Sequence, residues 1–297
     1  FIPILVVYGC ILHLYKQVGN KLKKNTMNIK KYALSIIILT SLNSCGQQKL
    51  EFESKINPDK TYSLSMNMSS TNKVQYLTEN PDLKDKTTES NNSTKMTRIT
   101  TTKGITDSGN FPATIEYGKI ITTVNGNKTS NPISGTIVKG TYSDNKLNVK
   151  EVLSNDLDKK TKDGIKYALE NVKPDIDFPK KPLKVGDSFE HKMPMNIPIE
   201  GANPVKIDII KTFTLKSVKE NTAIFDLKET IQLSTQIEQT NVVANGDGNG
   251  IVEFDINENQ IIKNNASFTI ELNVKINDDI TVNSIINSNS EIETKIE

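Results

Sequence analysis

The sequence predicts a mainly β protein: an antiparallel curved sheet, or sheets, arranged as two related β halves joined by one helix. Two observations support this fold class. In residues 61–68, T-Y-S-L-S-M-N-M, apolar and polar side chains alternate strictly, which is typical of a half-buried strand. Similar segments recur along the chain between Gly, Asn and Asp turn residues, while only one segment has helical spacing.

The alternation extends to most of the chain. In residues 267–276, for example, Phe268, Ile270 and Leu272 share one apolar face. Residues 77–94 are polar and contain Pro81, so we expect a loop there. The other predicted strands are residues 97–102, 114–124, 135–142, 146–153, 188–195, 206–218, 222–235, 250–256 and 280–286.

One helix is predicted over residues 155–171. Leu157, Ile165 and Leu169 recur at near-helical spacing after a polar, acidic start. Gly164 weakens the pattern, and Pro174 ends it, since proline cannot continue a helix. The helix would separate two similar halves of the chain.

The two halves share short matching segments. Residues 60–68 align with 187–195, and residues 135–146 align with 250–260. These matches indicate a duplicated β unit. We therefore expect a first β half, a helix with its linker, and a second β half. Their predicted boundaries are 61–153, 154–178 and 179–297.

The N-terminal region predicts where the protein is located in the cell. Lys30 and Lys31 precede an apolar run, residues 32–42, that is too short to span a bilayer, which takes ~20 apolar residues. The run ends in L-N-S-C-G, which resembles the bacterial lipobox with Cys45 as the lipidated residue. We expect residues 27–44 to be a lipoprotein signal peptide, residues 45–60 to be a tether, and residues 1–26 to be an upstream extension outside the native protein.

The composition excludes several kinds of site. After the predicted cleavage no thiol remains except that of Cys45, and His191 is the one histidine, so thiolate and multi-His zinc chemistry are excluded. The region from Cys45 onward is slightly acidic and holds a single arginine, Arg98, which argues against a nucleic-acid partner. We expect no cofactor.

A family resemblance appears in residues 178–189, F-P-K-K-P-L-K-V-G-D-S-F. This segment resembles the P-x-K-P-V-K-V-G-D-S-W segment of a family of uncharacterised Bacteroidetes-type lipoproteins. Phe189 replaces the usual Trp, and Gly248, Gly250, Phe254 and Asp255 match a later family strand. The resemblance implies a lipobox and a β-rich body, with no established activity. More loosely, the predicted fold is similar to the half-barrels of periplasmic lipid-carrier lipoproteins.

Three candidate sites follow from the pattern. Four methionines on the two matching strands could line an apolar ligand site, with core filling as the alternative. They are Met66, Met68, Met193 and Met195.

A candidate metal site lies in residues 245–250, N-G-D-G-N-G, where Asn245, Asp247 and Asn249 could supply ligands. This segment lacks the final Glu of a calcium loop, so we expect it to be a flexible glycine turn. His191 near Ser188 and Asp187 is expected to be a packing residue.

Together these observations predict an envelope lipoprotein, anchored to the outer membrane through lipid on Cys45, with no metal and no catalytic centre. It would bind an apolar or amphiphilic ligand or act as a scaffold. The alternative is a protein–protein interaction module of an envelope complex that uses exposed strand edges. A hydrolase is the least supported class, because the sequence offers so few pairs of nucleophile and base.

Overall fold

The computed structural model describes residues 49–79, 84, 86–172, 174, 176–199, 202–237, 240–275 and 279–297. Cys45, the predicted signal peptide and the predicted upstream extension lie outside the described residues. The described residues form one mainly antiparallel β structure of thirteen strands with a single helix, so the predicted fold class is confirmed.

The first half of the chain contains strands β1 to β7, and the second half contains β8 to β13. Helix α1 lies between them. The elements are β1 (Thr61–Thr78), β2 (Thr87–Thr102), β3 (Phe111–Tyr117), β4 (Ile121–Val124), β5 (Asn127–Ser130), β6 (Ile137–Ser143), β7 (Lys146–Leu153), α1 (Lys159–Glu170), β8 (Ser188–Ile199), β9 (Ala202–Lys219), β10 (Thr222–Ile237), β11 (Thr240–Asp255), β12 (Gln260–Lys275) and β13 (Ile280–Ile296).

All thirteen strands belong to one open sheet. Its order is β7-β6-β3-β2-β1-β13-β12-β11-β10-β9-β8, and the β4–β5 hairpin pairs with β2 beside this path. Nearly every neighbour in the sheet is also a neighbour in sequence, as short hairpin connections favour. The exceptions are β3 with β6 and β2 with β4, which result from the inserted β4–β5 hairpin, and β1 with β13. β1 pairs with β13 from Tyr62 opposite Ile296 to Thr78 opposite Ile280. This pairing joins the two halves into one sheet.

Two sequence predictions about strand bounds are wrong. The expected loop over residues 77–94 is mostly strand, because β2 begins at Thr87 and extends the hairpin with β1. The single strand expected over residues 114–124 is two strands, β3 and β4, which pair with different parts of β2. The sheet forks there, where the Gly118 N–H donates to the Thr97 carbonyl at 2.9 Å.

Helix α1 is shorter than predicted because its cap lies further along the chain. The Asp158 carboxylate accepts a hydrogen bond from the Thr161 N–H at 2.7 Å, which satisfies one free amide of the first turn. Ile165 and Leu169 pack against a buried cluster on β3, β6 and β7. The helix therefore covers one edge of the sheet. No helix in the described ranges is long and apolar enough to span a membrane.

One face of the sheet, here called the inner face, carries the buried side chains. Those of β1 and β9 to β13 form a first apolar cluster that includes Val74, Ile209 and Ile270. Among the described residues the only helix, α1, covers this face at β3, β6 and β7, through Ile165 and Leu169. The first cluster lies on other strands, so its side chains pack mainly against one another.

Two segments, residues 50–52 and 178–183, cover one end of the inner face. Leu50 exchanges two backbone hydrogen bonds of 2.8 Å with Leu183. Phe52 and Phe178 stack at 5.3 Å and both contact Phe225, within a second apolar cluster on β8 to β11. Part of the predicted tether, residues 45–60, is therefore packed against the body from residue 50 onward, because its apolar side chains fill this end.

Three glycines of β11 face inward at alternate positions and let the sheet curve tightly. They are Gly246, Gly248 and Gly250. A Cβ on Gly248 would lie 2.7 Å from the Ser267 carbonyl oxygen and 2.6 Å from the Phe268 Cβ, both on β12. Only a residue without a side chain fits so close to a neighbouring backbone.

We expect Gly248→Ala and Gly164→Ala to change stability in opposite directions. The first forces a methyl group against β12 and should destabilise the protein by about 1–3 kcal/mol. The second adds a methyl group with no neighbour within 4 Å on an exposed turn of α1, and it should stabilise by about 0.5–1 kcal/mol. Urea unfolding followed by circular dichroism measures both, and an unchanged midpoint for Gly248→Ala would contradict the packing of β11 on β12.

Candidate ligand-binding face

A row of polar side chains crosses the inner face on β8, β9 and β10. His191 lies opposite Lys211, and Lys211 lies opposite Glu229. The Lys211 Nζ is 3.0 Å from the Glu229 Oε1, and the two side chains are only 8% and 4% exposed. The row separates the first apolar cluster, which includes Ile209, from the second, which includes Phe213.

His191 is buried, with 5% of its surface exposed, and its Nδ1 accepts a hydrogen bond from the Asp177 N–H at 3.2 Å. Ser188 lies on the opposite, outer face, where its hydroxyl contacts that of Thr214 at 2.7 Å. The Asp187 carboxylate accepts from the Lys184 N–H in a turn. The structure therefore does not bring the predicted Ser, His and Asp together. The absence of a catalytic centre stays a prediction.

A second region of the inner face lies on β1, β2 and β3. Met66 and Met68 are each 6% exposed, and Met66 lies directly opposite Met96 of β2. The next inward position of β2 is Arg98, which lies opposite Leu64 on β1 and Tyr117 on β3. A strip of thioether side chains therefore runs along two strands and ends at a guanidinium.

The four predicted methionines do not form one group on neighbouring strands. Met193 is on β8, which β13 and β12 to β9 separate from β1 in the sheet, and it packs against the first cluster. The side chain of Met195 lies outside the described residues. Met96, absent from the prediction, takes the place beside Met66 because β2 pairs with β1 further than the sequence indicated.

Arg98 has two tyrosines as neighbours. Burial raises the pKa of Tyr117 and of Tyr142, and the positive charge of Arg98 offsets part of the rise in both. Both rings pack against the cluster on β3, β6 and β7. Burial also raises the pKa of Tyr62, whose hydroxyl accepts from the Asn57 N–H at 2.8 Å. Tyr117 lies directly opposite Arg98, while Tyr142 lies opposite Phe111 and stacks on its ring at 5.5 Å.

The guanidinium of Arg98 is incompletely satisfied. Its Nε is buried and has no hydrogen-bond partner. Across the described part of the chain Arg98 takes part in no ion pair. Arg98 as a whole is half-buried, but a buried donor without a partner costs free energy, so an anion beside it would be favourable. The sequence analysis used Arg98 only as evidence against a nucleic-acid partner. Its position between Met96 and Thr100, on the same face of one strand, could have indicated that it belongs to a binding site.

A groove of about 600 Å³ lies on the outer face of the sheet, near the fork. It runs over the strand positions of Leu64, Arg98 and Tyr117, whose side chains belong to the inner face. Small and charged side chains of the outer face form its wall. They are Ser63, Ser65, Thr97, Ile99, Glu116, Gly118, Glu293 and Lys295.

The predicted glycine turn at residues 245–250 is wrong, since these residues lie inside the long strand β11. Asn245, Asp247 and Asn249 are exposed on its outer face. Alternate residues of a strand are about 7 Å apart, so these three cannot wrap one cation as a calcium loop does. The described residues contain no group of three or more His, Cys, Asp or Glu that could hold a metal ion.

Comparisons with known proteins place few limits on this site. No family model matches the chain, and no curated protein is similar to it. Solved structures similar to it include one described as "Asymmetric conductivity of engineered proteins", with a TM-score of 0.19, and two mutants of the Rh. blastica porin, with TM-scores of 0.18. Each is 10% identical and covers 78% of this chain and 100% of its own. Such low TM-scores carry neither fold nor function to this protein.

The Lys211–Glu229 pair generates a prediction about stability. Glu229→Gln leaves a buried ammonium without its anion, and we expect a loss of about 3–5 kcal/mol. The double change Lys211→Met with Glu229→Leu removes both charges and should be close to neutral, because apolar side chains surround the pair. Urea unfolding of both variants checks this. Equal losses in the single and double variants would show that the ion pair itself stabilises the sheet.

Proposed function

We propose that the protein is a lipid-anchored envelope lipoprotein that binds an apolar or amphiphilic ligand on the inner face of its sheet, without catalysing a reaction. The observation that carries the proposal is the strip on β1 and β2, where Met66, Met68 and Met96 lead to Arg98 on the inner face. Methionine side chains are flexible and polarisable, so they adapt to apolar ligands of varied shape. Ligand sites typically combine such an apolar wall with few polar groups.

The proposed location rests on the sequence. The lipobox at residues 42–46 and the resemblance of residues 178–189 to Bacteroidetes-type lipoproteins both favour an outer-membrane anchor through Cys45. Two or more acyl chains hold a protein stably at a membrane, where one chain does not. Residue 50 already packs against the body, so few residues would separate the sheet from the bilayer surface.

A protein–protein interaction module is the second candidate, and the edges of the sheet oppose it. In the described sheet, β7 and β8 are the end strands of the path. β8 carries Pro194 and Pro198, which cannot donate to an added strand. α1 packs on β7, and the β6–β7 pairing contains a bulge at Gly140. Such features are typical of edges protected against strand addition.

The first prediction concerns the anchor. Cys45→Ala removes the only thiol that the lipobox offers, so the protein should move from the membrane fraction to the soluble fraction. Ser41→Ala, which leaves the L-N-S-C-G segment at residues 42–46 intact, is the matched control and should leave the distribution unchanged. Mass spectrometry of the mature protein should find acyl chains on Cys45. A mature protein that retains residues 27–44 would contradict the anchor.

The second prediction concerns the ligand. In membranes containing the full-length protein, an alkyl probe with a photoreactive diazirine should label peptides of β1 and β2 that contain Met66, Met68 and Met96. Excess dodecanol should suppress the labelling, because one site is saturable. Val243 and Ile285 are apolar but exposed on other strands, and they serve as the control positions. Labelling that does not saturate, or that favours these two positions, would contradict a ligand site on the inner face.

A further inference from the structure

We infer that Arg98, together with Tyr117, binds the acidic headgroup of an amphiphile whose apolar chain lies along Met66, Met68 and Met96. The headgroup chemistry is that of an oxyanion, a carboxylate or a phosphate, attached to an alkyl chain. This inference rests on the proposed function, and it names the class of ligand that the inner face selects.

The first argument is the unsatisfied charge. Lys211 is buried on the inner face and has Glu229 at 3.0 Å, whereas Arg98 is half-buried. Arg98 has no acidic partner among the described residues, and its buried Nε makes no hydrogen bond. A planar guanidinium presents two parallel N–H groups that match a carboxylate or phosphate. A bound oxyanion would therefore supply the negative charge and the hydrogen-bond acceptor that Arg98 lacks among the described residues.

The second argument concerns Tyr117, which lies directly opposite Arg98 on the neighbouring strand. Burial raises the pKa of Tyr117 above the ordinary value despite the nearby charge of Arg98. The phenol is consequently neutral near pH 7 and does not neutralise the guanidinium. A neutral phenol can donate its O–H to an anionic oxygen. Arg98 and Tyr117 thus offer one positive charge and one further donor on adjacent strands.

The third argument is the direction of the apolar strip. Met96 is the next inward residue after Arg98 on β2, about 7 Å along the strand, and it lies opposite Met66. Met68 lies one inward position further, opposite Thr94. The thioether side chains therefore begin beside the guanidinium and continue away from it. This order fits a ligand with one charged end and one apolar chain.

Arg98 can be reached from solvent, because its side chain is half-buried and not fully buried. The exposed acids Glu116 and Glu293 belong to the opposite, outer face of the sheet, as the alternation along β3 and β13 requires. They therefore lie across the backbone from the guanidinium, and water screens their repulsion of an anion. The site therefore favours an anion at Arg98 on the inner face.

The test uses full-length protein in membranes and a dodecanoate analogue with a photoreactive diazirine. Competitors are dodecanoate, dodecyl phosphate, dodecanol, acetate and inorganic phosphate. Wild-type labelling should be suppressed by the two tailed anions at about 10- to 100-fold lower concentration than by dodecanol, as expected for charge-assisted hydrogen bonds. Acetate and inorganic phosphate should not compete, since they lack the chain.

Arg98→Gln should remove this preference and leave competition by dodecanol unchanged. Lys95→Gln is the matched control, because it removes one positive charge from the outer face of the same strand and should behave as wild type. Arg98→Lys keeps the charge but not the paired N–H groups, so it should lose most of the preference. Circular dichroism checks the fold, and removal of an unpaired charge should not lower the thermal midpoint.

The other outcomes separate the two proposals. Equal competition by dodecanoate and dodecanol, unaltered in Arg98→Gln and Arg98→Lys, would overturn the headgroup site while the apolar site stands. Competition by acetate or inorganic phosphate as effective as that by dodecanoate would also overturn it, in favour of a site for free small anions. An absence of saturable labelling with every tailed probe would overturn the proposed function itself.

Discussion

The pairing of β1 with β13 is the contact on which the rest of the sheet depends. It joins segments more than 200 residues apart, as the hydrogen bond from the Ser288 hydroxyl to the Ser69 carbonyl illustrates. Without it, the two halves would be separate meanders with two additional edges, and β1 would lose one of its two partners. Contacts between such distant segments form late, so the sheet is completed only when β13 is in place.

Several polar groups lie on the buried face of this sheet. Their hydrogen-bond and ion-pair partners indicate their roles. The Ser284 hydroxyl donates to the Asn72 Oδ1 at 2.5 Å, and Lys211 pairs with Glu229. These groups satisfy one another, as buried polar groups must in a stable protein. Among the described residues the Arg98 Nε has no protein partner; the Thr136 Oγ1 and the Asn264 Oδ1 are also unsatisfied, but they carry no charge. Such departures from internal consistency concentrate at functional sites.

The sequence predicted most strands because one buried face imposes a period of two, as in Phe268, Ile270 and Leu272. It failed where backbone pairing rather than burial maintains the strand. The part of β2 from Thr87 to Lys95 is largely exposed, so its polar side chains gave no alternation. It also failed at residues 245–250, because glycine usually marks turns, whereas here it allows close approach of β12. Neither condition is visible before the register is known.

The same limit explains why the candidate site was only partly predicted. Met66 and Met68 stood out because they alternate with polar residues on a single strand, which is local information. The placement of Met96 beside Met66, and of Tyr117 beside Arg98, depends on the registers of β2 with β1 and β3. A lone arginine in a slightly acidic protein first argues against nucleic acid. Once its strand is paired, the same arginine becomes the one charged end of an apolar strip, and an oxyanion carrying an alkyl chain complements both parts at once.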